Sequence, residues 1–106
     1  MNFNQIKTAV LAQAETLAEN SFHQFATQGV ADTQAFLADS EATLKNALAL
    51  LQQGKIDPDD FADAVKATST LAEMNTLKQA GLASAKIDMF VSGVLQIFID
   101  AALAAL

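Results

Sequence analysis

Residues 91–106 read VSGVLQIFIDAALAAL. In an acidic chain, so apolar a stretch admits three readings: a membrane span, a core helix, or a surface for copies of the same chain. On a helix turning about 100° per residue, Ile87, Phe90, Val91, Val94, Leu95, Ile97 and Phe98 cover nearly half the circumference, and Ile99 and Leu103 widen the arc. The polar groups are ordered: Asp88, Ser92, Gln96 and Asp100 step along one narrow stripe. A lone membrane helix has no use for an acidic stripe, and a mid-span Asp costs about 2.5–3.5 kcal/mol on insertion scales. A helix this broadly apolar needs cover on more than one side. The expectation is therefore a helix that completes a core and also leaves an interface. With Phe90, Val94, Ile97 and Phe98 facing the chain's own interior, Val91, Leu95, Ile99 and Leu103 are left for a second copy, which symmetric pairing would cover.

Upstream, helical periodicity continues almost to the N-terminus. Phe3, Ile6, Val10, Ala14, Leu17, Ser21 and Phe25 share one stripe, widened by Leu11, Ala18 and Phe22, which predicts a helix over about residues 3–27 with Gly29 as its stop. Residues 31–54, ADTQAFLADSEATLKNALALLQQG, give the second helix. Asp32 or Thr33 would cap its start, Phe36, Leu37, Ser40, Leu44, Ala47, Leu48 and Leu51 form its apolar face, and Gly54 suits a left-handed terminator.

The segment GKIDPDDF, residues 54–61, is the sharpest punctuation. Asp57 fits an N-cap, and Pro58 fits the first helical position, where its missing N–H costs nothing. Asp59 and Asp60 set negative charge against the positive end of the helix dipole. The same acids lack the spaced oxygen ligands and closing Glu of a calcium loop. In the third helix Phe61, Val65, Thr68, Leu71, Ala72 and Asn75 share a side, whereas Met74 and Leu77 point elsewhere. Gly81, inside LKQAGLASAK, divides it from the last helix, because an unbroken helix from 58 to 105 would be far longer than usual.

The composition narrows function. Twelve acids against six Lys and no Arg give a net charge of −6. A nucleic-acid binder needs a basic face, and here the lysines are scattered. Anionic membrane surfaces are disfavoured for the same reason. Without Cys there are no disulfides or thiolate metal sites. The opening MNFNQIKTAVLAQ lacks the basic and apolar regions of a cleavable secretory signal, so a cytoplasmic location is expected.

No catalytic or ligand-binding motif stands out. His23 follows Glu15 and Glu19 at steps of four, a possible metal edge, but its position opposite the main apolar stripe reads as a solvated face. A di-iron bundle needs Glu-x-x-His on two helices, which one His cannot supply. Neither a nucleophile elbow nor a phosphate-binding glycine loop is present. Asp88 and Asp100 could serve acid–base chemistry if buried, yet their stripe reads more simply as the wet edge of a packed helix.

In layout, IDPDDF (56–61) and VSGVLQIF (91–98) resemble the small helical subunits of type III secretion needles and inner rods, with a Pro/Asp turn before a long apolar C-terminal helix. The likeness covers residues 57–98, while the two patterned N-terminal helices and the closing IDAALAAL depart from it. It implies self-assembly. The expectation is thus an all-α single domain over residues 1–106, an up-and-down bundle of three or four helices. Its expected role is non-enzymatic: a homo-oligomeric assembly protein, with a further protein partner possible in principle. No catalytic, metal or cofactor residue is expected. The alternatives are a membrane-inserted protein using residues 87–106 and a bundle enclosing an apolar ligand.

Overall fold

The computed structural model describes residues 2–106, whose regular elements are all helical, with no strand among them. The α-helices are α1 (Phe3–Phe22), α2 (Ala26–Asp39), α3 (Glu41–Gln52), α4 (Pro58–Ala67), α5 (Asn75–Gln79) and α6 (Ser84–Ala104). Short 3₁₀ turns follow α1 at His23–Phe25 and α4 at Thr68–Leu71. The radius of gyration is 13.4 Å, close to the ~13 Å expected of a compact chain of about 100 residues.

Helix α6 lies between α1 and α4. Phe98 is its pivot, with the Phe3 ring 6.3 Å away on one side and the Phe61 ring 6.3 Å away on the other. Phe22 meets Phe90 edge-on at 4.9 Å, so α1 and α6 run in opposite directions. Such aromatic pairs contribute about 0.5–1.5 kcal/mol beyond the area they bury.

The first reversal differs from expectation. Gly29 is not a stop but lies inside α2, buried against α1. A Cβ there would meet Ala18 Cβ at 3.0 Å and Phe22 Cδ2 at 3.2 Å, so the residue lets two backbones approach closely. The chain turns instead at His23, whose φ of 49° breaks the helix. Asp32 and Thr33 likewise sit within α2 rather than at its start. Thr33 Oγ1 donates to Gly29 O at 2.8 Å.

The second expected helix exists but bends. Ser40 Oγ donates to Phe36 O at 2.5 Å while the Ser40 N–H bonds the same carbonyl. Such back-bonding bends helices, and it separates α2 from α3 with little loss of backbone bonding. Phe36, Leu37, Ser40, Leu44, Ala47, Leu48 and Leu51 are all buried across the bend, as their spacing predicts.

Gly54 and Gly81 both take positive φ, 70° and 85°. At each, paired bonds close the preceding helix: Gly54 N to Leu51 O with Lys55 N to Leu50 O, and Gly81 N to Lys78 O with Leu82 N to Leu77 O. This is the Schellman arrangement. The helix reading before Gly81 is corrected. Helix α4 stops at Ala67, where Thr68 Oγ1 turns back to Val65 O at 2.6 Å. Five-residue α5 then intervenes, so the Pro/Asp turn leads into the short α4 and α5, and the long apolar helix begins only at Ser84.

Helix α5 has no cap of its own. Its N-cap, Met74, is buried in the left-handed region at φ 50°. Asp32, distant in sequence, takes over: its carboxylate accepts from Thr76 N at 3.1 Å and from Leu77 N at 2.7 Å. Asp32→Ala should therefore destabilise the protein by about 1.5–3 kcal/mol, the range for hydrogen bonds to a charged group. Amide exchange should accelerate first at Thr76 and Leu77. Unchanged protection there would refute the tie.

Asp57 forms the expected cap as a full capping box: Asp60 N donates to Asp57 Oδ1 at 2.7 Å, and Asp57 N donates to Asp60 Oδ2 at 3.4 Å. Asp57→Ala should lower stability by about 0.5–2 kcal/mol. The measurement is the denaturant midpoint at constant slope, and no shift would count against the cap.

Candidate functional site

The four residues expected to await a second copy are placed differently. Val91, Leu95 and Ile99 are 9%, 5% and 3% exposed, part of the chain's own core, and Leu103 is half-buried against it. The cause is the segment from α4 through α5. It covers the side of α6 that the helical wheel left open.

That cover is incomplete, and the gap forms the most interesting surface of the molecule. A groove of roughly 430 Å³ runs between α6 and the stretch joining α4 to α5. Ile87, Val91 and Leu95, one residue per turn of α6, lie along it with Ala72, while Lys66, Ser69, Lys78, Asp88 and Ser92 complete its lining. Two of the four expected interface residues thus border a groove in the chain's own surface rather than a free strip. Sequence reasoning missed Lys66 and Lys78 because they come from different helices and only the intervening turns bring them together. The one clue in the sequence is the departure of Met74 and Leu77 from the third helix's main face.

The polar stripe of α6 is exposed at Asp88, Ser92, Gln96 and Asp100, as expected. Gln96 Nε2 donates to Asp100 Oδ1 at 2.9 Å, one helical turn on. Beside the stripe, Gly93 faces Leu17, whose Cδ2 would lie 2.7 Å from an added Cβ. Outside the groove, Met89 is 76% exposed, the most exposed large apolar side chain described.

Elsewhere the chemistry is sparse. Glu15 and Glu19 line an open trough of roughly 360 Å³ with Ala26, Thr27, Val30, Ala31 and Gln34, and His23 is not part of its wall. Among the described residues, no three His, Asp or Glu side chains gather where a metal could be held. Helix α6 is long and apolar enough to cross a membrane, with a mean hydropathy of 1.7, but 44% of that stretch is buried inside the protein.

No protein-family model matches the chain, and no curated protein or solved structure compared with it matches either.

Burial reverses one consequence of the sequence reading. A Lys at Ile99 would bring an unpaired charge into the core, one of the mechanisms behind large losses of stability. Ile99→Lys should lower stability by about 3 kcal/mol or more, measured by denaturant unfolding. Met89→Lys should change it by less than about 0.5 kcal/mol, as for an exposed site. Equal effects at the two positions would contradict the placement.

Proposed function

We propose that the chain is a non-enzymatic helical interaction and assembly protein, its four longer helical spans forming an up-and-down bundle, and that it self-associates along the outer edge of α6. The observation that carries this reading is the exposure of Met89, 76%, on the most apolar helix of the chain. Met89 belongs to a seam. Ala85, Met89, Ser92, Gln96, Ile99 and Leu103 succeed one another in alternating steps of four and three, the spacing by which one helix meets another along a shared stripe. Ile99 closes the seam from the core side, while Met89 and the half-buried Leu103 offer apolar atoms outward. Methionine suits such a place, because its flexible thioether fits irregular surfaces. Ser92 and Gln96 between them keep the edge compatible with water in the unpaired chain.

Membrane insertion has the hydropathy of α6 in its favour, but it would strip α1 and α4 of their main packing surface and bury Asp88 and Asp100. Association keeps every internal contact and adds one. An enclosed apolar ligand fits less well, since Phe61, Phe90, Phe98, Leu37 and Leu44 fill the interior.

Light scattering after size exclusion tests the proposal. The solution mass should exceed the 11.2 kDa of one chain and rise with concentration. Met89→Lys and Leu103→Lys should each return it toward one chain with the far-ultraviolet circular dichroism unchanged. A single-chain mass across the micromolar range would sink the reading, as would flotation of the protein with neutral liposomes together with loss of that mass.

A further inference from the structure

We propose that the groove between α6 and the α4–α5 stretch is a docking site for an acidic amphipathic helix of a protein partner. Self-association uses the outer edge of α6, and Ser92 is the residue at which the two surfaces meet.

The first support is charge. Lys66 and Lys78 are two of only six cations in a chain with twelve acids, and both line this one groove. Neither is ion-paired among the described residues, where the recorded salt bridge joins Lys45 to Glu41. An acidic protein that gathers two unpaired ammonium groups beside an apolar strip presents a local complement to carboxylates. Such complementarity gives specificity and a faster encounter more than raw affinity.

The second support is shape and chemistry. Ile87, Val91 and Leu95 form the apolar floor of the groove over two helical turns, about 12 Å from end to end, and each is less than a tenth exposed, so the floor guides an occupant by shape while the lysines of the rim supply most of the attraction. An apolar stripe with anchors one turn apart matches that floor, which is how a helix lies in a groove. The groove is open to solvent along its length, so its occupant must keep a polar face of its own toward water. An amphipathic helix has that face, and a simple hydrocarbon chain does not. Asp88 on the opposite wall disfavours a uniformly anionic occupant and gives a basic group of the partner a place to pair, which would fix its direction.

The test uses a fluorescein-labelled helical peptide of about fourteen residues, with Leu at i, i+4 and i+7 and Glu on both flanks. A second peptide carries Lys in place of Glu. Fluorescence anisotropy is measured with the full chain, with Lys66→Gln/Lys78→Gln, and with Met89→Lys. Amide shifts are recorded alongside. The Glu peptide should bind the full chain, weaken with salt, and move the amides of residues 66–72, 78 and 87–95. Binding should fall roughly tenfold for the Lys peptide and for the double Gln variant, and should persist in Met89→Lys, which separates this site from self-association. Both lysines are exposed, so the double variant should keep its fold, checked by circular dichroism. Equal binding of the two peptides, or unchanged binding to the double variant, would overturn the proposal. It would also fall if the Glu peptide failed to bind at about millimolar concentration. Two further results would reassign the groove and overturn it: sodium dodecanoate moving these amides where the peptide does not, or dilution of the chain alone moving them.

Discussion

The burial of α6 is the constraint on which the rest of this structure depends. Its apolar arc is too broad for one neighbour, so the fold must bring two others to it. Helix α1 arrives from the N-terminus and α4 from the middle of the chain, and the rings of Phe3, Phe98 and Phe61 mark where the three meet. The other elements serve that meeting. The hairpin at His23 lays α2 along α1, and α3 follows around the bend at Ser40 to place Lys45 over the Phe3 ring, 5.6 Å from its centre. The Gly54 turn then returns the chain as α4 on the far side of α6.

What remains is the problem of closing the flank of α6 between α4 and α5. Regular helix cannot do this, because a continued α4 would run past α6 rather than fold back over it. The chain uses a 3₁₀ turn, a left-handed Met74 and a five-residue helix. Isolated helices this short are unstable in water. Asp32 supplies from α2 the two acceptors that α5 lacks, and buried Met74 and Leu77 anchor it to the core. The carboxylate is largely withdrawn from water yet satisfied by two N–H donors, the condition under which a buried polar group is tolerated. One side chain thereby links the N-terminal hairpin to the segment that forms one wall of the groove.

These dependencies separate what could be read in the sequence from what could not. The Asp57–Pro58 cap, the glycine terminators at 54 and 81 and the apolar face from Phe36 to Leu51 were legible, because each is decided by residues within a few positions of one another. Gly29, Asp32 and Met74 were not. Gly29 reads as a helix stop until Ala18 is known to press against it, and Asp32 reads as a cap for its own helix until α5 is known to need one. The same limit bears on the expected interface residues, three of which the chain itself buries. The helical wheel gave the width of the apolar arc on α6 correctly, but it carries no information on which neighbour covers each part. Val91, Leu95 and Ile99 were assigned to a second copy because the third helix read as continuing through Asn75, which left nothing else in the chain to cover them.

The two surfaces of α6 also differ in what covering them would accomplish. Along the outer edge, Met89 and Leu103 are separated by Ser92 and Gln96, so that face gains little from burial and loses little by exposure, which suits an association that depends on concentration. In the groove, Ile87, Val91 and Leu95 are already almost fully withdrawn from water, and an occupant would add little apolar burial at those three positions. Its binding would rest more on the lysines of the rim, and hence on ionic strength. A chain that commits its most apolar helix to its own core thus retains two shallow surfaces beside it; on the proposed reading the first would respond to its own concentration and the second to the charge of what approaches.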